Sequence, residues 1–447
     1  MRPPVVPTPV QAAPVPQDPE EEADLRSPFR KLGFYFAVVF VFMRFSMAHE
    51  LMAGLLGIPY IIATLGIPAV VLMVLTGGIR RTMKYRTSWF WMGFMLWLVM
   101  SIPFSEWKGG SFHAVLGYGR TCFILLFLIG GLVMTWKECR VLLYAVALGG
   151  AANALTGQFL AKETYGRLFL MVQGGSITNA NDLAAHLLLV LAFVLYVFAS
   201  SGKNVVLRLG SLGIIFLGFW EIAKSGSRGA LIAILVATLF ALTRARAAAR
   251  IATLIAVPAL FAIFIVMLPR ETLMRYATLV DDKSTSVQDA QARDSTNART
   301  YLLKSSLLFS LRNPIFGVGP GEFADYEAHD AKDAGRHAAW SVPHNAYTQI
   351  SSEAGVPALI FLIAGLFTAF QMLTRTHKRA KQDIRFRDIE MGTYYTQLGF
   401  VAFCAASFFL PMAYHFYLPA LSGIAIAITA AAEREFKKAA PMPARGF

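Results

Sequence analysis

"DLAAHLLLVLAFVLYVFAS", residues 182–200, is an almost uninterrupted apolar run that is long enough to cross a lipid bilayer as a single helix. Similar runs recur along most of the chain. Because they are continuous, they exclude a transmembrane β-barrel, whose strands alternate apolar and polar residues. The run therefore predicts an α-helical membrane protein that crosses the bilayer several times.

The composition agrees with this class, because 56% of the 447 residues are hydrophobic and only 15% are charged. That share of charged residues is too low for a soluble protein of this length. The sequence predicts an all-α polytopic membrane protein with about 12 transmembrane helices. The expected segments are 33–48, 58–78, 88–104, 114–136, 140–160, 182–200, 205–222, 229–243, 250–268, 346–373, 392–410 and 412–432.

The basic residues of the connecting loops predict how the chain is oriented. Alternate loops are rich in Lys and Arg, namely "RRTMKYR" (80–86), "KECR" (137–140), "RARAAAR" (244–250) and "RTHKRAKQDIRFR" (375–387). The positive-inside rule places these loops and both termini in the cytoplasm, and the segment 269–345 outside. Much of the net charge of +14 lies in these loops, where it meets anionic lipid. We therefore expect the lipid bilayer as a partner and no nucleic acid.

These patterns divide the chain into five parts. The expected parts are a disordered cytoplasmic tail (1–30), helices 1–9 (31–268), an external loop (269–345), helices 10–12 (346–432) and a second cytoplasmic tail (433–447). The first tail is rich in Pro and contains "DPEEEADLR", without an apolar core. The three cysteines have no metal or disulfide spacing, so we expect them to be packing residues.

The external loop 269–345 is far longer than a connector needs to be, and such loops are usually functional or disordered. Its middle predicts a helix over 296–312, capped by Ser295 or Thr296 and ended by Asn313-Pro314. "NPIFGVGPGEF" (313–323) has glycines at alternate positions, which favours turns over a phosphate loop. The acidic "DYEAHDAKD" (325–333) lacks the ligand spacing of a metal site and is interpreted as a solvated loop.

Basic residues collect on the external side. "EIAKSGSRGALIAIL" (221–235) places Lys224 and Arg228 where a helix is expected to begin. Positive charge is unfavourable at a helix N-terminus unless an anion also lies there. Arg suits phosphate, although Arg228 reaching to lipid headgroups is an equally good interpretation of the spacing. Further arginines expected on this side are Arg167, Arg270, Arg275 and Arg299.

"SVPHNAYTQISSEAGVPAL" (341–359) places His344 and Asn345 at the start of an apolar helix, directly after the external loop. Asn345 is a good helix cap. A histidine beside a proline at a helix start is more often structural than catalytic. A second external histidine, His337, lies in "GRHAAW" and is a rival candidate for proton transfer.

In this order, four segments resemble the O-antigen ligase and O-antigen polymerase superfamily. They are "GGSITNANDLA" (174–184), "SGSRGALIA" (225–233), "RTYLLKSSLLFSLRNPIFGVGPGEF" (299–323) and "PHNAYTQISSEAGVPA" (343–358). The family usually has Pro at the position of Ala180. The resemblance runs from about 160 to 375 and is specific in its combination, since each piece alone is weak.

The resemblance implies a membrane glycosyltransferase of the C-type architecture, with a periplasmic active site in the bacterial inner membrane. Such enzymes move a glycan from a polyprenyl (undecaprenyl) diphosphate carrier to an acceptor, without a metal or another cofactor. Arg228 and Arg299 match the family's arginines and would hold the diphosphate, and His344 matches its histidine and would be the general base. Further candidates for substrate binding are Lys224, Arg167, Arg275, Asn345 and His337.

Three functions stay open at this point. We favour an O-antigen ligase that uses lipid A-core as acceptor, because one long external segment, with a helix able to lie at the interface, suits a bulky lipid acceptor. A repeat-unit polymerase would use the same donor, and we would expect it to have two sizeable external loops, one for each glycan chain. A lipid or ion transporter is less favoured, because Arg44 and Arg120 are the main charges inside the predicted spans.

Overall fold

The computed structural model describes residues 19–58, 60–160, 162–164, 167–169, 176–177, 179–244, 247–277 and 287–439. These residues are almost entirely helical. The helices are α1 (Pro19–Arg26), α2 (Pro28–Phe45), α3 (Ala48–Leu56), α4 (Ile61–Leu75), α5 (Gly78–Met83), α6 (Arg86–Ser101), α7 (Lys108–Tyr118), α8 (Ile124–Leu132), α9 (Trp136–Leu160), α10 (Ala180–Ser200), α11 (Val205–Lys224), α12 (Arg228–Arg244), α13 (Ala247–Met267), α14 (Arg270–Ala277), α15 (Val287–Arg312), α16 (Phe323–Asp333), α17 (Ala346–Ala380), α18 (Arg387–Ala406) and α19 (Tyr417–Ala439). One antiparallel hairpin joins β1 (Lys162–Thr164) to β2 (Arg167–Phe169).

The described residues include seven helices that are long and apolar enough to cross a membrane. There are eight if α2 and α3, which meet at a bend of 68°, together form one broken span. The chain is therefore a polytopic α-helical membrane protein. Each of the twelve predicted segments falls on a helix, but the remaining helices are shorter or more polar, such as the 15-residue Ile61–Leu75.

Helix α10 lies at the centre of the bundle, where it packs against α9, α11 and α18. Apart from a few polar residues such as Asp182 and His186, its side chains are apolar on every face, so burying the apolar ones stabilises this central position. Leu187, Phe193 and Tyr196 are fully buried there. Among the seven candidate membrane spans of the described residues, α10 has the largest buried share.

One end of the bundle, which we call the anchor end, is held by polar side chains at helix starts. Arg30 of α2 is 1% exposed and donates to Glu138 Oε1 of α9 at 2.7 Å. Trp136 Nε1 donates to Asp388 Oδ2 of α18 at 2.8 Å. A buried arginine paired in this way fixes the relative positions of the two helices that it joins.

The predicted disordered tail 1–30 is partly wrong, because its described residues are helical. Pro19–Arg26 forms α1, and Asp24 of that helix pairs with Arg81 at 2.6 Å. Ser27 Oγ accepts the N–H of Arg30 and so caps α2. Residues 1–18 lie outside the described residues.

The other predicted tail, 433–447, begins as the last turns of α19, which runs to Ala439. Its last eight positions, 440–447, lie outside the described residues.

Helix α17 is broken near its start, where Gly355 has φ 81° and ψ 172°. The loop 313–323 fills the break with its own backbone. Pro314 O accepts the N–H of Val356 at 2.8 Å, and Val318 N–H donates to Ser352 O at 2.8 Å. The glycines of this loop have left-handed φ values, which confirms the prediction of turns: Gly317 (68°), Gly319 (120°) and Gly321 (82°).

The segment 269–345 is more helical than predicted. The helix expected from 296 begins at Val287, so Ser295 and Thr296 lie inside α15 and neither caps it. The acidic stretch 325–333 is helix α16, so its interpretation as a loop is wrong. Its Asp330 pairs with Arg312 at 2.7 Å and with Arg336 at 2.9 Å, and these pairs tie α16 to α15 and to the following segment.

Candidate functional site

Helix α15 carries Thr296 and Arg299 one turn apart, and each meets a different part of the bundle. Thr296 Oγ1 accepts a hydrogen bond from Arg228 Nη2 at 2.7 Å. Arg299 interacts electrostatically with His344. Residues three apart share one face of a helix. One turn of α15 therefore contacts Arg228 through Thr296 and interacts with His344 through Arg299. We call the end of the bundle where these three residues, Arg228, Arg299 and His344, lie the site end.

Arg228 stands at this end because the chain turns sharply between α11 and α12. Gly226 has φ 61°, which glycine adopts without strain, and Ser227 Oγ accepts the N–H of Ala230. Arg228 is the first residue of α12, so its positive charge adds to the partial positive charge of the helix N-terminus. This arrangement favours an anion beside Arg228.

Lys224 is placed differently from the prediction. It lies in the last turn of α11 and not at the start of α12, with its ammonium 5.9 Å from the Trp220 ring centroid. A cation at a helix C-terminus is favourable without a bound anion. The charge argument for an anion therefore applies to Arg228 and not to Lys224.

His344 is held in place by the residue that follows it. Asn345 Oδ1 accepts the N–H groups of Tyr347 and Thr348 at 2.9 and 3.1 Å, which confirms the predicted helix cap. The pKa of His344 is lowered to about 4, mainly by burial and also by the positive charge of Arg299, while the negative charge of Asp182 opposes both. The imidazole is therefore neutral at neutral pH, and only the neutral form can accept a proton.

Asp182 is a member of the site that the sequence analysis missed. It lies in the first turn of α10, is 3% exposed and accepts a hydrogen bond from Asn179 Nδ2 at 2.8 Å. Its charge acts on His344 and also on His415, which precedes α19. The signal was present in "GGSITNANDLA", where Asp182 is the one acidic residue.

Arg44 brings the N-terminal helices to the same end. It is 8% exposed, its Nη1 lies 3.1 Å from His49 Nε2, and its guanidinium lies 4.4 Å from the Phe416 ring centroid. Its charge acts on His415, the neighbour of Phe416. The sequence marks Arg44 as a charge inside an apolar run but gives no partner for it.

Three further predicted residues are Arg167, Arg275 and His337. Arg167 lies on β2 and Arg275 on α14, and both side chains lie outside the described residues. His337 is exposed on the segment after α16, whereas His344 is partly buried. Among the described residues, no three His, Cys, Asp or Glu side chains are grouped so that they could hold a metal ion.

Comparison with protein families matches residues 213–363, about a third of the chain, to a family described as O-antigen ligase. This segment is similar to the O-antigen ligase family. The superfamily resemblance seen in the sequence is thereby confirmed. The ligase-family segment contains Arg228, Arg299 and His344, whereas Arg44 and Asp182 precede it. No curated protein matches the chain.

Proposed function

We propose that this protein is a membrane glycosyltransferase of the C-type architecture. It moves a glycan from an undecaprenyl diphosphate carrier to an acceptor hydroxyl, and the favoured reaction is ligation of O-antigen to lipid A-core. The observation that carries the proposal is the hydrogen bond from Arg228 to Thr296, because it places one arginine a single helical turn from the other, Arg299, which in turn interacts with His344.

In the proposed reaction, Arg228 and Arg299 hold the diphosphate of the donor. The bond between the sugar's anomeric carbon and the diphosphate oxygen breaks, and negative charge grows on the departing diphosphate. Two guanidinium groups fixed in advance stabilise that charge more in the transition state than in the bound donor. Arginine also matches phosphate geometry with paired N–H donors.

His344 is the proposed general base. The acceptor hydroxyl attacks the anomeric carbon and transfers its proton to the imidazole as the new glycosidic bond forms. His344 Nδ1 is buried without a hydrogen-bond partner among the described residues. Nε2 is then the nitrogen that can meet the hydroxyl.

We also propose how the protein lies in its membrane. Twelve helices cross the bacterial inner membrane, both termini are cytoplasmic, and the site end faces the periplasm. The basic stretches support this orientation, because they lie at or next to helix ends near the anchor end. Arg81 pairs with Asp24, Arg140 pairs with Asp388, and the charge of Arg244 acts on His377. Cysteine labelling of Thr300→Cys and Arg385→Cys in intact cells tests it, since only Thr300→Cys should react with an impermeant maleimide once the native cysteines are removed.

Transfer is proposed to need no metal, because the two arginines supply the positive charge that a divalent cation supplies in other enzymes. Purified protein should transfer glycan in the presence of EDTA. Arg228→Lys should be impaired although the charge is kept, because the paired donors are lost. Activity that disappears with EDTA and returns with Mg²⁺ would contradict this part of the proposal.

The general base is tested with a matched pair of histidines. His344→Ala should reduce transfer about 10²–10⁴-fold, because only the proton acceptor is lost. His337→Ala, at an exposed site, is the control and should retain activity. If His344→Ala transfers glycan at close to the wild-type rate, the assignment is wrong and His337 becomes the candidate.

An O-antigen ligase and a repeat-unit polymerase differ in the acceptor that they use. In a deletion strain, loss of a ligase should give lipopolysaccharide without O-antigen while polymerised glycan accumulates on the carrier. Loss of a polymerase should instead leave single repeat units attached to lipid A-core. The second outcome would replace ligation with polymerisation.

A further inference from the structure

Trp340 has an unusual backbone and an unusual exposure. Its φ is 47°, a left-handed value, and 67% of the residue is exposed. Met47 is the other described non-glycine residue with positive φ, and it is 1% exposed. A bulky residue in this region of φ is strained. For Met47 the surrounding packing can offset the strain, but Trp340 has no comparable burial.

The backbone on the N-terminal side of Trp340 is held firmly. Ala339 N–H donates to Glu327 Oε2 at 2.8 Å, and Tyr301 OH donates to Glu327 Oε1 at 2.8 Å. Glu327 lies on α16 and is 1% exposed. It therefore fixes the chain before Trp340 to the buried contact between α16 and α15. Such strain persists only where the surroundings determine the backbone, and it is found most often at functional sites.

Trp340 lies four positions before His344, so their Cα atoms are at most about 14 Å apart. The neighbours of Trp340 in sequence are small, Ala338, Ala339 and Ser341, and the residue is 67% exposed. We propose that Trp340 is a stacking surface for a pyranose ring of the glycan beside His344. The C–H groups on one face of a pyranose carry partial positive charge and pack against the negative face of an indole.

This inference rests on the proposed function and names a residue that binds sugar. The sugar belongs to the donor or to the acceptor, and both present the same chemistry. A membrane contact fits less well, because the exposed neighbours of Trp340 include Arg336 and His337. Exposed aromatic side chains do occur together elsewhere, at Phe104, Trp107 and Phe112, as expected of an interfacial belt.

The test uses purified full-length protein with undecaprenyl diphosphate-linked glycan as donor and lipopolysaccharide lacking O-antigen as acceptor, each varied in turn. Trp340→Ala should raise the KM of one substrate about two- to twelvefold with kcat little changed. Trp340→Gly removes the strain as well as the ring and should show the same rise. Trp340→Phe should recover most of the loss. Trp107→Ala, which removes another tryptophan that is 61% exposed, is the control and should leave both KM values unchanged.

A rise in the donor KM alone assigns the stacked ring to the donor, and a rise in the acceptor KM alone assigns it to the acceptor. Undecaprenyl diphosphate without glycan should inhibit wild type and Trp340→Ala equally, because it has no ring to stack. Unchanged KM values in Trp340→Ala would overturn the inference. The fluorescence of Trp340 is obtained as the difference between wild type and Trp340→Phe. Quenching of this fluorescence by brominated lipids would also overturn the inference. Wild-type protein that transfers no glycan would contradict the proposed function itself, and the inference with it.

Discussion

Arg228 on α12 donates a hydrogen bond from Nη2 to Thr296 Oγ1 on α15 at 2.7 Å, across 68 residues of sequence. It joins α15 to a helix of the bundle at the point where Arg228 and Arg299 come together. An arginine side chain has several rotatable bonds, and a fixed partner reduces the entropy lost when it binds an anion. Thr296 is therefore the residue that positions Arg228.

The first prediction removes that partner. Thr296→Val keeps the shape of the side chain but deletes the hydroxyl, so the guanidinium loses its acceptor and is less well placed for phosphate. We expect kcat/KM to fall about tenfold, the range of a hydrogen bond to a charged group. Steady-state transfer with the carrier-linked donor measures it.

The control is Thr300→Val, one turn further along α15. Thr300 Oγ1 donates to Thr296 O of its own helix at 2.9 Å and is exposed, so its loss should leave kcat/KM unchanged. Equal activities of the two variants would show that the bond to Thr296 does not position Arg228.

The second prediction concerns the helix cap at His344. Asn345→Ala removes an acceptor for the Tyr347 and Thr348 N–H groups and should cost about 1 kcal/mol of stability. The imidazole next to it should also lose its fixed orientation, so kcat should fall. Thermal unfolding in detergent and single-turnover transfer measure the two effects separately.

Asn204→Ala provides the matched change away from the site. Asn204 Oδ1 caps α11 by accepting the Leu207 N–H at 3.0 Å. Asn204→Ala should lower the free energy of unfolding by a similar amount and leave kcat unchanged. If both variants lower kcat alike, the effect of Asn345 is one of stability only.

The sequence predicted the bundle better than the site, for a physical reason. A helix such as α10 is specified locally, because each residue of its apolar run favours the same environment. The contact between Arg228 and Thr296 depends on how two distant segments pack, and no local pattern reveals it. Residue types and the family resemblance could select Arg228, Arg299 and His344, but they could not supply the partner of any of them.

The place of Asp182 and the partners of Arg44 could not be predicted for the same reason. Asp182 follows Asn179 in a segment that reads as a helix start, and its charge reaches His344 only in the folded chain. Arg44 meets His49 locally, but its second partner, Phe416, lies near the other end of the sequence. The start of α15 at Val287 was also missed, because polar residues there carry no apolar stripe.

The third prediction concerns the break in α17. Gly355 has φ 81° and ψ 172°, a conformation that is essentially restricted to glycine. A Cβ at this position would collide with the carbonyl oxygen of Ile315. Gly355→Ala should therefore fail to accumulate as a monodisperse protein, because the loop 313–323 can no longer fill the break. Fluorescence-detected size exclusion measures the yield.

Gly335→Ala separates the collision from the backbone strain. Gly335 also has a left-handed φ of 65°, but a Cβ there would meet nothing within 4 Å. Gly335→Ala should lower the free energy of unfolding by only about 1–2 kcal/mol and yield folded protein. A normal yield of Gly355→Ala would mean that the break in α17 can shift to another residue.

The last prediction uses the charges around His344. Its pKa is lowered to about 4 by burial and by Arg299, and the charge of Asp182 opposes that lowering. The base form is present above this pKa, so kcat/KM should stay constant as pH falls from 8 to about 5 and then decline as the imidazole becomes protonated. Asp182→Asn removes the opposing charge and lowers the pKa further, so the decline should move to lower pH. A purely structural role for Asp182 would reduce kcat/KM at every pH and leave the position of the decline unchanged. Transfer rates of wild type and Asp182→Asn between pH 4 and 8, at donor concentrations well below KM, decide between the two roles. A decline that moves to higher pH in Asp182→Asn would contradict the assigned sign of the interaction.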